Sequence, residues 1–102
     1  MLDLNHPQAE ATLAAARIED QIRLSLLDWQ RTGTLTARPA LLTRWLPELH
    51  RLNRQHFGAD PGIARTLQAL ADAVGGTDAQ VAWTRFLALA EQPGDNFGTW
   101  AI

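Results

Sequence analysis

The sequence predicts an all-α protein: a small bundle of four helices, the second kinked or split at Pro47, followed by a non-helical apolar C-terminal tail. Three observations predict it. Apolar residues recur at three- and four-residue spacing in four separate runs, the period of a helix face. Gly, Pro and capping residues punctuate the ends of those runs. No stretch alternates apolar and polar side chains with β-branched residues, so strands are not expected. Residues 1–102 read as a single domain, with 1–92 the helical bundle and 93–102 the tail.

The first run, residues 5–33, organises the rest. Asn5 suits an N-cap, Gln8 can complete a capping box, and Pro7 falls in the first turn, where its missing N–H costs nothing. Gly33 supplies the left-handed conformation that a helix stop prefers. About 26 residues lie between, or roughly 39 Å at 1.5 Å per residue. At 100° per residue, Ala11, Ala15, Ile18, Ile22, Leu26 and Trp29 share one face. Leu13, Leu24 and Leu27 fall nearly opposite, interleaved with Arg17, Asp20 and Arg31. Singly scattered surface leucines are common, but a helix apolar on two sides usually lies between other elements, so the favoured reading of the second stripe is a second buried contact, with a partner helix or with this chain's own tail.

Residues 34–37 read as a short polar connection. Over 38–57, Leu41, Leu42, Trp45, Leu46, Leu49, Leu52 and Phe57 line one side of a second helix, with Arg44, Glu48, Arg51 and Arg54 on the other. Pro47 removes an interior hydrogen bond and clashes with the turn before it, which predicts a kink near 43–46 or a new helix opening there. Gly58 ends the run. Asp60 and Pro61 open a third helix as N-cap and first-turn proline, and Ile63, Leu67, Leu70 and Val74 form its narrow stripe. Gly75 and Gly76 end it. Thr77 with Gln80 reads as a capping box for the fourth helix, whose face carries Ala79, Ala82, Trp83, Phe86, Leu87, Leu89 and Ala90. Trp29, Trp45 and Trp83 all sit on core stripes. The Gly- and Pro-containing tail still carries Phe97, Trp100 and Ile102, apolar groups with a use only if something covers them, this bundle or a partner.

Composition narrows the function. The net charge of −2 exerts no general pull on nucleic acid or anionic lipid. Cys is absent, so disulfides, thiolate chemistry and zinc-finger sites are excluded. No run approaches a membrane span and no signal peptide is visible, which fits a cytoplasmic protein. All nine basic residues are Arg and Ala is abundant, as in a GC-rich bacterial coding sequence. His50 and His56 stand six apart, off the spacing of ligands on one helix face, and Glu19 and Asp20 are adjacent and diverge. No nucleophile elbow or phosphate-cradling loop is present. Neither catalytic nor metal residues are assigned, and no cofactor or small-molecule ligand is implied.

One stretch carries a mechanism. In residues 70–87, Ala71 stands where a first helix needs a small residue, Gly75 at the turn, and Val81 where a second helix turns a branched side chain inward. Leu70 and Val74 are apolar at the accompanying positions. The stretch resembles the helix-turn-helix of bacterial regulators over about a fifth of the chain. That resemblance implies a DNA-binding regulator built on residues 67–90, with Thr77, Asp78, Ala79, Ala82 and Trp83 toward the bases. Gly76 and Thr84 depart from the pattern, and the contact set holds an acid and no base, which a polyanion repels. Arg44, Arg51 and Arg54 form the basic patch, suited to an acidic protein surface or a phosphate backbone. The favoured expectation is a non-catalytic protein-binding module, an adaptor, assembly or regulatory subunit or inhibitor, that self-associates or binds a protein partner through helix contacts. Leu13, Leu24, Leu27, Phe97 and Trp100 are its candidate binding residues.

Overall fold

The computed structural model describes residues 7–90. Among these the elements are all helical: α1 (Pro7–Thr32), α2 (Arg38–Ala40), a π-helical turn (Leu41–Trp45), α3 (Leu46–His56), α4 (Pro61–Val74) and α5 (Ala79–Ala90). The second predicted helix is thus one rod joined from three pieces. Its middle piece is wound wider, with the Leu46 N–H donating five residues back to the Leu41 carbonyl. Pro47 explains the widening: it brings no N–H to the ladder, and its ring would strike a carbonyl of a tighter turn. The rod therefore widens and continues, with α3 opening at Leu46 and Pro47 in its first turn.

The helices close into a ring. α1 packs against the π turn and α3 on one flank and against α5 on the other, while α4 lies between α3 and α5. Ile22, Leu26, Leu41, Leu49, Ile63, Leu67, Leu70, Val74, Phe86 and Leu89 form the centre. Leu35 is buried too, so the connection expected to be polar contributes to the core. Trp29 is fully packed, whereas Trp45, Trp83 and Leu42 sit half-buried at its margin and Leu87 is exposed.

Specific polar bonds set the turns. Gly33 takes φ +79° and its N–H donates to the Trp29 carbonyl, ending α1 as expected of a glycine stop. Asn53 organises the α3–α4 turn. Its buried amide donates to the Asp60 carbonyl at 3.1 Å and accepts from the Asp60 N–H at 3.0 Å. Gly58 and Ala59 turn the chain there with φ of +75° and +51°. Asp60 then caps α4 by accepting from the Ile63 N–H at 3.1 Å. At α5 the cap differs from the expected Thr77–Gln80 box. The Asp78 carboxylate accepts from the Gln80 N–H at 2.9 Å and the Val81 N–H at 3.4 Å, so the helix starts one residue later.

Candidate interaction surface on the first helix

The two stripes of α1 have opposite fates. The inner one, from Ala11 through Ala15, Ile22 and Leu26 to Trp29, is buried under the other helices. The outer one stays in solvent: Leu13 is 59% exposed, Leu24 56% and Leu27 42%. Leu24 and Leu27 are neighbours one turn apart. Leu13 lies about 16 Å along the axis from Leu24, with Arg17 and Asp20 between them. The surface is therefore a ridge of alternating apolar and charged side chains, not one continuous greasy patch. Phe97 and Trp100 lie outside the described residues.

Glu19 is the buried group that hydropathy does not reveal. It is 1% exposed, as deep as the leucines around it. Arg23, one turn on, donates to Glu19 Oε1 at 3.0 Å and to Asp20 Oδ1 at 2.6 Å, and its guanidinium lies 5.9 Å from the Phe86 ring centroid. Oε2 of Glu19 has no hydrogen-bond partner among the described residues. Burial pushes the Glu19 carboxyl above its ordinary pKa, against the pull of Arg23 and with a smaller push from Asp20. Ile18, expected in the core, instead sits half-buried at the edge of a groove shared with Arg44, Trp45 and Glu48.

The predicted basic patch on the second helix is partly neutralised. Arg51 embraces Glu48 with two guanidinium nitrogens and reaches Gln55 at 2.7 Å. Its hydrogen bonds hold the Glu48 carboxyl below the usual range. Arg44 and Arg54 are exposed and form no salt bridge among the described residues. His50, one turn before Arg54, has its pKa lowered by burial first and by the Arg54 charge second. Arg38 plays a part the sequence did not suggest. It donates to the carbonyls of Val74 at 2.8 Å and Gly76 at 3.0 Å, and lies 5.2 Å from the Trp29 ring centroid. One cation thus covers the open C-terminal carbonyls of α4 and ties them to α1.

The α4–α5 corner lacks two features of a helix-turn-helix. Gly75 is right-handed, with φ −71°, and Val81 is 43% exposed where the motif turns it inward. Of the positions expected toward bases, Thr77 and Asp78 are exposed and Ala79 half-buried. Ala82 is buried, and Trp83 stacks on Phe86 at 5.5 Å. A shallow groove of about 350 Å³ runs along the outside of this hairpin, lined by Gly62, Arg65, Thr66, Ala69, Arg85 and Ala88. Among the described residues no cluster of three His, Asp or Glu side chains could hold a metal, and no helix is long and apolar enough to cross a membrane. Comparison with known proteins finds no family model, curated protein or solved structure that matches the chain.

Proposed function

We propose that the chain is a non-catalytic protein-binding module, an adaptor, assembly or regulatory subunit or inhibitor, that acts through helix–helix contacts made by the outer face of α1. The observation that carries this reading is the second stripe. Leu13, Leu24 and Leu27 present roughly half or more of their surface to water on a helix whose opposite stripe is already fully used by the core. Covering each is worth about 1 kcal/mol by the ordinary area relation, and a partner helix laid along the ridge covers all three together. Two facts support binding over chemistry. The buried carboxylate Glu19 is 1% exposed, shut away from the solvent a substrate would arrive through. Part of the exposed charge of α1 is tied into short helical ion pairs, Arg23–Asp20 and Arg31–Asp28.

The test uses Leu24→Asp with Leu27→Asp in the full chain. Both positions are exposed, so the double variant still folds, with a helical circular dichroism spectrum and a melt lowered only modestly by the poorer helix propensity of Asp and any lost association. Wild-type protein, immobilised or sized with light scattering, gathers a discrete polypeptide, its own copy or another, and the double variant does not. A wild type that stays monomeric and retains nothing the variant lacks removes the proposal.

A further inference from the structure

We infer that the partner on this face is a second copy of the chain, docked antiparallel along α1 so that Leu13 meets the partner's Leu24 and Arg17 meets the partner's Asp20. This rests on the protein-binding reading above and names its occupant. A two-fold contact must be complementary to itself, which most surface stripes are not. The order of side chains along this one makes the difference. From the N-terminal end it runs Glu10, Leu13, Arg17, Asp20, Leu24, Leu27, Arg31, spaced by threes and fours, so every member lies on one narrow stripe. Turned end for end and slid until Leu13 faces the partner's Leu24, it places opposite charges together at the next layers. Arg17 faces the partner's Asp20, and Asp20 the partner's Arg17. Leu24 then meets the partner's Leu13. The outermost layer sets Leu27 against the stem of the partner's Glu10.

The parallel, in-register alternative stacks Arg17 on Arg17 and Asp20 on Asp20, and like charges face to face oppose docking. The charges are also available. Arg17 is exposed and forms no salt bridge among the described residues. The Asp20 side chain is 58% exposed and, among the described residues, is held by Arg23 through one oxygen, leaving the other for a second cation. The antiparallel overlap spans about 24 residues, roughly 36 Å of helix. One helix pair of that length is a small interface, so the dissociation constant falls in the micromolar range.

The experiment is a charge swap on the full chain, read by sedimentation across low to high micromolar protein, with circular dichroism to confirm folding. Wild type shifts from monomer toward dimer as concentration rises. Arg17→Glu alone and Asp20→Arg alone each place two like-charged pairs at the centre, weakening the dimer by at least about tenfold. Mixing the two variants in equal amounts restores a dimer, because each chain then offers what the other lacks; so does the double variant R17E/D20R. A wild type that remains monomeric at the highest concentration overturns the inference, and leaves the protein-binding proposal standing if the wild-type bait still retains another polypeptide that the Leu24/Leu27 variant loses. A dimer indifferent to both charge reversals also overturns it. Rescue of Asp20→Arg by Arg31→Glu in place of Arg17→Glu overturns it too, since it assigns a shifted register in which Leu13 takes no part.

Discussion

Replacing Glu19 by Met should stabilise the protein, although it removes an ion pair. The carboxylate is 1% exposed and one of its oxygens is unpartnered among the described residues. A buried acceptor without a donor costs about 1–3 kcal/mol. Its ion pair with Arg23, whose side chain is 38% exposed, returns only about 0.5 kcal/mol. Met matches Glu in helix propensity and occupies the same space with apolar contact, so the net gain is about 2 kcal/mol at neutral pH. For a domain near 100 residues that raises Tm by about 8 °C or more. The pH dependence gives the sharper check. Burial raises the folded-state pKa of Glu19 above the ordinary value of 4.5, so the folded chain holds this proton more tightly than the unfolded chain does. Wild-type stability is therefore fully retained below the ordinary value and declines as pH rises through the raised one. Glu19→Met is exempt from that decline. Urea titrations of both proteins at several pH values should show a gap that is small near pH 4 and widens toward pH 8. A variant less stable than wild type at neutral pH, or a gap that does not change with pH, would refute the reasoning.

Other substitutions isolate the remaining polar joints. Arg38→Ala loses two bonds to carbonyls of the α4–α5 turn and the contact with Trp29, and should cost about 2–3 kcal/mol by urea midpoint. Arg38→Lys should recover less than half, since an ammonium cannot fork to both carbonyls while lying over the ring. Asn53→Ala strips the paired bonds to the Asp60 backbone inside the core and should cost about 2 kcal/mol, with faster amide exchange at Asp60 as its local signature. Two glycine-to-alanine changes should have opposite signs in thermal melts. Gly33 sits at φ +79° in open space, so Gly33→Ala costs about 1 kcal/mol through the backbone alone. Gly75 is right-handed and an added Cβ meets only ordinary contacts at 3.5 and 3.6 Å, so Gly75→Ala gains about 0.5 kcal/mol.

What the sequence revealed and what it hid follow from the same physics. Helix ends were legible because Gly33, Gly58, Asp60 and Pro61 each act on the backbone within a residue or two; the Asn5 cap expected for α1 lies outside the described residues. The core of α4 was legible because its stripe is narrow and purely aliphatic. Two misreadings share a cause. At the start of α5, Thr77 and Asp78 are both capping residues, and the Gln80 spacing favours Thr77; the Asp78 carboxylate prevails by taking two amide donors at once. On α1, Ile18 and Glu19 lie about equally far from the centre of the inner stripe at 100° per residue. Hydropathy favours Ile18, yet α5 closes over the Glu19 side and a groove remains open beside Ile18. Which margin is covered depends on where a distant helix lands, and periodicity within one helix holds no record of that. The role of Arg38 is hidden similarly, since its carbonyl partners are 36 and 38 residues away.

The exposure of the outer ridge of α1 was legible because, among the described residues, no distant element packs on Leu13, Leu24 or Leu27. The number of exposed leucines is not what favours binding there. Val81 and Leu87 are also exposed, at 43% and 37%, and single apolar residues on a surface are ordinary. The difference is arrangement. Val81 and Leu87 lie six residues apart on α5, so they point in different directions and one flat partner cannot cover both. Leu13, Leu24 and Leu27 fall on a stripe of one helix long enough to outrun α3, α4 and α5, which span 11, 14 and 12 residues against its 26. A short helix could not hold two leucine layers with two charged layers between them and still be read in only one direction. The length of α1 exceeds what any single neighbour in the bundle needs, and that excess is what gives its outer face room for an ordered message.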